Sequence, residues 1–346
     1  MDPVSQGALG AALAASTPAR QRVATAAALG ALAGMAPDLD VLIRSATDPL
    51  LFLEYHRQFT HAIAFAPLGA LACATLLHGL VRRRLRFRAT YAFCLLGYAT
   101  HGLLDACTSY GTQLLWPFSD ARLAWNLIAV VDPAFTLPLL ALLAAAVVRR
   151  RPELARAALG WAVLYLGLGM VQEWRAERAG ALLAESRGHV PERLLAKPSF
   201  ANLLVWKIVY AADGWYYVDA VRAGRQATYF PGERIRQLDI GRALPWLDPR
   251  SRQAADLERF RRFSDGYLAP APHRADAVID VRYSLVPNEI DPLWGIAVDR
   301  QRQDVHAEFF TDRTATQAER SAFLQMLGNP GRSLGSGAPE ALRGGH

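Results

Sequence analysis

Apolar residues run in long blocks through residues 1–171 and break into short mixed patterns over 172–346. Residues 23–43 make one block, interrupted late by Pro37. Residues 61–81 carry no charged side chain, and residues 89–115 are apolar apart from His101 and Asp105. Residues 127–148 hold one charge, Asp132, followed by Pro133; residues 157–171 form a shorter block. Residues 4–16 are also apolar, but at about 1.5 Å per residue they reach only roughly 20 Å. One such block fits a buried soluble helix, whereas five within 171 residues fit a bilayer. The pattern therefore predicts an α-helical polytopic membrane domain over 1–171, of about five spans preceded by a short helix.

The second half reads differently. Residues 173–187 look like an amphipathic helix, and Pro191 and Pro198 bracket a connector. Residues 203–211 and 215–221 are rich in Val, Ile, Tyr and Trp, with Asp213-Gly214 between them as a hairpin turn. Further strands are expected over 277–286, 294–298 and 305–310, and a helix over 250–263. This predicts a small α+β extramembrane domain over 172–327, followed by a disordered Gly/Pro/Ser-rich tail over 328–346.

Charge sets the orientation. The formal net charge of +7 comes largely from arginine. Residues 82–88 hold five arginines, and Arg149, Arg150, Arg151 and Arg156 follow the 127–148 block, so both loops belong in the cytoplasm. The loops 44–60 and 108–126 hold two arginines and one, and are expected outside. The last block then delivers the C-terminal half to the extracytoplasmic side of a bacterial inner membrane. Asp2 stands where a cleavable signal peptide would be basic, so no such peptide is expected. The three cysteines have no paired spacing and imply neither a disulfide framework nor a zinc knuckle.

In this topology the rare polar residues of the membrane half fall at one depth, on the outer side. Asp38 and Asp40 close one span, His56 and His61 precede the next, and His101 and Asp105 share a face near the end of a third. Asp132 opens the fourth. His78 lies 17 residues after His61, roughly 26 Å along a helix, and is excluded as an interfacial histidine. Ionisable residues within apolar segments are costly and point to function. Three histidines and three carboxylates form a mixed N/O ligand set suited to a divalent metal, zinc or manganese first. Arg57, beside the ligands, is expected to contact an anionic substrate. Asp132 is expected either to orient a ligand or to cap its span.

The stretches Asp2-Pro3-Val4-Ser5-Gln6, Pro37-Asp38-Leu39-Asp40, His56-Arg57-x-x-Thr60-His61 and His101-x-x-x-Asp105-x-x-Thr108-Ser109-Tyr110-Gly111, followed by Trp116-Pro117 and Asp132-Pro133, carry a family resemblance. Over about residues 1–150 the chain resembles the membrane-bound metal-dependent hydrolases, the YdjM-like inner-membrane proteins described as LexA-regulated hydrolases. Many members have histidine where this chain has Gln6. Glutamine is a poor metal ligand, so Gln6, Thr60 and Thr108 are expected to support the ligands rather than bind directly. The His-x-x-x-Asp spacing also resembles zinc-dependent phospholipase C and nuclease families. The resemblance implies metal-dependent hydrolysis, and a site at headgroup depth suits a lipid or other phosphoester. Two other classes remain open: a membrane protein with a structural metal, and a cation-binding transporter. A transport path would need polar residues through the inner halves of the spans, which here are almost purely apolar. No nucleotide loop, nucleophile elbow or nucleic-acid motif is present; membrane lipids are the expected partners.

Overall fold

The computed structural model describes residues 1–328. The chain forms two compact units. The first comprises Met1–Ile43, Tyr55–Met170 and Phe200–Asn202; the second comprises Arg44–Glu54, Val171–Ser199 and the chain from Leu203 onward.

The first unit is helical: α1 (Pro3–Ala15), α2 (Val23–Met35), α4 (Ala66–Val81), α5 (Phe87–Ala106), α6 (Pro133–Arg149) and the first half of α7 (Pro152–Ser186). Asp2 caps α1 by accepting from the Ser5 amide, with Pro3 at the first helical position. Helix α1 packs on α2, α5 and α6, and α4 packs on α5. Small residues allow close approach. A Cβ on Gly97 of α5 would lie 2.2 Å from the Gly30 carbonyl oxygen of α2. The side chains turned away from this packing are also apolar: Leu68, Leu76, Leu80, Leu137, Val163 and Leu164 are all exposed. Helices that are apolar on every face suit lipid surroundings.

Among the described residues, three helical stretches are long and apolar enough to cross a membrane: Arg20–Leu42, Ile63–Val81 and Pro152–Ser186. This differs from the five expected spans. Helix α6 has 17 residues, about 26 Å at the helical rise. Helix α5 has 20 residues but carries His101 and Asp105 of the site, and Arg88 in its first turn next to the N-cap Arg86. The block at 157–171 and the amphipathic stretch at 173–187 are one continuous helix, α7, of 35 residues.

The second unit contains two four-stranded antiparallel sheets. The first joins β1 (Arg193–Pro198), β2 (Val205–Ala212), β3 (Trp215–Ala223) and β4 (Ala227–Arg236) in sequence order. Asp213 and Gly214 both take positive φ, 51° and 74°, which makes the tight β2–β3 turn. The second sheet joins β5 (Leu268–Pro270), β6 (Ala277–Asp280), β7 (Trp294–Ala297) and β8 (Glu308–Thr311). Val209, Tyr216 and Val218 of the first sheet share a core with Tyr267, Ile279 and Val281. The short helices α3 (Leu51–Tyr55) and α8 (Ile240–Ala243), with α9 (Arg252–Phe263) and α10 (Gln317–Gly328), complete the described elements. Arg44–Glu54, read from the sequence as a loop of the membrane half, belongs to this unit. There Arg259 of α9 pairs with Asp48, Glu54 and Asp256. Gly328, the first residue of the expected tail, instead closes α10, and the rest of that expectation, 329–346, lies outside the described residues.

A candidate metal centre in the helical unit

Three segments of the first unit converge. Pro37 stops α2 and starts a 3-10 helix over Ala36–Leu42 that carries Asp38 and Asp40. Residues 56–61 cross beside it, ending in a 3-10 turn at Phe59–His61. The last turns of α5 carry His101 and Asp105. Gly102 permits the closest approach: a Cβ there would lie 2.1 Å from the His61 carbonyl oxygen. The Tyr98 hydroxyl donates to the Thr60 carbonyl at 2.9 Å and ties the same two segments.

Both inner histidines are oriented through Nδ1. His101 Nδ1 lies 2.6 Å from the Gly34 carbonyl oxygen, which can only accept, so Nδ1 carries the proton. His61 Nδ1 faces Asp40 Oδ2 at 3.2 Å and the Thr60 hydroxyl at 3.0 Å; that hydroxyl itself donates to Asp40 Oδ2 at 2.9 Å. In the neutral rings this leaves both Nε2 atoms as bare acceptors, and they face each other at 2.9 Å. Two lone pairs at that separation repel, so the arrangement calls for a cation. Asp38 Oδ1 lies 3.5 Å from His61 Nε2 and 3.4 Å from His101 Nε2. Asp105 Oδ2 lies 3.1 and 3.6 Å from the same two atoms. Zinc bonds of 2.0–2.2 Å imply tetrahedral ligand–ligand edges of roughly 3.3–3.6 Å. The four donors are therefore spaced much as a single small divalent cation requires.

The carboxylates differ in their surroundings. Asp105 is fully buried. Its Oδ1 accepts from Gln6 Nε2 at 2.9 Å and from the Met1 amine. Its Oδ2, near Arg57 Nε and His61 Nε2, receives no well-aligned hydrogen bond. Asp40 is also buried; it accepts from the Arg57 amide at 3.0 Å and approaches His56 Nδ1 at 2.7 Å. The Asp38 side chain remains 20% exposed and the His56 side chain 18%, so solvent reaches the cluster on that side.

Eleven residues were expected at the site, and the structure gives them unequal places. Asp38, His61, His101 and Asp105 form one donor set, and Asp38, Asp40 and His56 a second. Thr60 and Gln6 contact Asp40 and Asp105 respectively, as supports. Thr108 accepts from Arg57 Nη1 at 2.8 Å. Arg57 does not reach outward for a substrate: it is 4% exposed, its backbone is left-handed at φ 63°, and its guanidinium lies against Asp105 and under the Tyr110 ring. It is a buried counter-ion. Asp132 lies in neither set. It caps α6 by accepting from the Ala134 and Phe135 amides, and the Tyr165 hydroxyl donates to both its oxygens at 2.9 and 2.8 Å. His78, excluded on depth, pairs with Thr90 near the opposite ends of α4 and α5. Sequence reasoning missed the Gly34 carbonyl and the roofing role of Tyr110. Nothing in the sequence signals the first; the second lay within the Thr108–Gly111 stretch.

A helical unit with apolar outer faces and a buried His/Asp cluster defines a polytopic membrane protein with a candidate metal centre. The chain belongs to the YdjM inner membrane protein family, whose model matches residues 1–176. It is also similar to the uncharacterized protein YfhP of Bacillus subtilis (strain 168), with 30% identity over 112 residues, 32% of this chain. The match spans about a third, 34%, of that protein's length. No solved structure matches the chain.

Proposed function

We propose that this inner-membrane protein is a metal-dependent hydrolase whose centre is formed by His61, His101, Asp38 and Asp105. The observation that carries the reading is the pair of imidazole Nε2 atoms at 2.9 Å, with both Nδ1 atoms already committed and two carboxylate oxygens completing the set. Zinc or manganese fits this N2O2 donor set. A divalent metal bound in the cluster would supply Lewis acidity and, where a coordination position stays open, an activated water. The chain's own residues do the rest. Asp40 and the Gly34 carbonyl hold the two rings, and Arg57 offsets the carboxylate charge.

Sidedness supports a substrate at the outer leaflet. Helix α5 runs from Arg86 and Arg88 at one end to Asp105 at the other, about 30 Å away for 20 residues. Helix α4 runs back to Arg82, and α6 from Asp132 to Arg149. The arginine loops thus lie at the helix ends opposite the cluster, which supports an outer-side cluster by the positive-inside rule. With α7 crossing outward from Arg151, the C-terminal unit is extracytoplasmic. A lipid or other phosphoester at headgroup depth is the substrate class this site reaches.

A structural-metal reading also has an observation in its favour: four protein donors at tetrahedral spacing make a closed site. Turnover separates the two. The full-length protein, purified in detergent and metal-loaded, is expected to hydrolyse a member of a phosphoester panel, and Asp105→Asn to lose that activity. Stoichiometric metal without hydrolysis across the panel favours the structural reading.

A further inference from the structure

We propose that the cluster is a two-metal centre in which Asp38 is shared between the inner set and an outer site completed by Asp40 and His56. The inference rests on the reading above, that the inner donors hold a divalent cation.

Two groups of donor atoms, each mutually within 4.8 Å, have one member in common: Asp38. A carboxylate has two oxygens and can bridge a pair of ions about 3.5–4 Å apart, the spacing of two-metal hydrolytic sites. The two halves are built differently. The inner half has four protein donors; His61, His101 and Asp105 are buried, and Asp105 Oδ2 faces into it without a hydrogen-bond partner. A four-coordinate ion there has no open position. The outer half has three protein donors and lies on the solvent-reached side, through His56 and Asp38. Three protein ligands and an open position are the pattern of a catalytic metal. The division of labour therefore assigns the inner ion to holding the three segments together and the outer ion to binding water and substrate.

Charge identifies the substrate class. Three carboxylates, Asp38, Asp40 and Asp105, are opposed by the Arg57 guanidinium. One divalent ion brings this set close to neutral. A second leaves it net positive, the field an anionic phosphoryl group requires. The remaining His/Asp group among the described residues, Asp48, Asp256 and His306 of the second unit, lacks this character. Its two carboxylates are already paired with Arg259.

The test uses the full-length protein in detergent, stripped with chelator, reloaded with Mn2+ and freed of excess metal. Manganese is counted by mass spectrometry and examined by electron paramagnetic resonance. Two ions per chain with a spin-coupled signal are expected. His56→Gln, at the solvent-reached edge of the cluster, is expected to fold normally and halve the content, leaving one ion with an uncoupled six-line signal. One ion per chain in the unaltered protein overturns the second site and leaves the four-donor centre standing. No retained manganese overturns both. Two coupled ions in His56→Gln remove this residue from the outer site and overturn the assignment.

Discussion

His101 is held through its Nδ1 by a backbone carbonyl, which leaves its Nε2 turned towards His61, Asp38 and Asp105, and that single anchor helps explain why a histidine is tolerated in an apolar helix. Asp105 carries the charge opposite it. Asp105→Asn keeps the shape and can still accept from Gln6, so the fold is expected to survive. Metal affinity should fall by more than the roughly 10–100-fold typical of residues that only support a ligand, as measured by competition with a chromophoric chelator. Asp132 behaves differently. Asp132→Ala removes the α6 cap and the Tyr165 contacts; a cap alone contributes about 0.5–2 kcal/mol. Thermal stability should drop while metal content stays unchanged, and loss of metal in a folded Asp132→Ala protein would return this residue to the site. The donors were legible in the sequence because ionisable side chains in apolar segments have few other reasons to be there. The role of Arg57 was not, and for Asp132 the sequence offered both ligand support and the cap that the structure shows. A ligand, a counter-ion and a helix cap use the same residue types, and only the left-handed backbone at Arg57 and the Tyr165 hydroxyl separate them.

At the scale of elements, the site depends on how closely α5 lies against α2. Gly97 meets the Gly30 carbonyl, and one turn further His101 reaches the Gly34 carbonyl. Gly97→Val should push the helices apart and draw His101 from its acceptor. Metal affinity is expected to weaken although no ligand has changed; undiminished affinity in a folded Gly97→Val protein would show that the helix contact does not set the site. Element type was legible wherever the periodicity was long. The β2–β3 hairpin followed from Asp213-Gly214, and α9 lies within the helix expected over 250–263. Strand β1, lying between Pro191 and Pro198, was hidden because two prolines suggest a connector. It is an edge strand ending at Pro198, where a missing amide costs little. The merging of two expected segments into α7 was hidden as well, since a change from apolar to amphipathic composition need not interrupt a helix.

At the scale of the whole molecule, the proposed sidedness and a pH response are both open to measurement. A reporter fused after Arg187 should be active only if it functions outside the cytoplasm; activity of a cytoplasm-only reporter there would reverse the topology. The C-terminal unit buries Lys207, whose ammonium donates to the Ser284 hydroxyl and the Glu289 carbonyl. Burial lowers its pKa from 10.5 to about 7. Between those values the unfolded chain holds a proton that the folded one has released, so stability should rise with pH from about 7 towards 10.5. Below about 7 both forms are protonated and the full burial penalty applies. Lys207→Met should flatten this slope in thermal unfolding of the full-length protein followed by tryptophan fluorescence. An unchanged slope would show that another group titrates. The division into a membrane half and a mixed half was legible from composition. The transfer of Arg44–Glu54 to the second unit was not, because it is made by pairing Asp48 and Glu54 with Arg259, more than two hundred residues away.

The central claim is that His61, His101, Asp38 and Asp105 bind one divalent metal. X-ray absorption at the zinc edge, on zinc-loaded full-length protein, addresses it most directly. The account predicts a first shell of nitrogen and oxygen at about 2.0–2.2 Å, with outer scattering from imidazole that diminishes in His101→Gln. A shell without imidazole scattering, or zinc that washes out to substoichiometric levels, would contradict it.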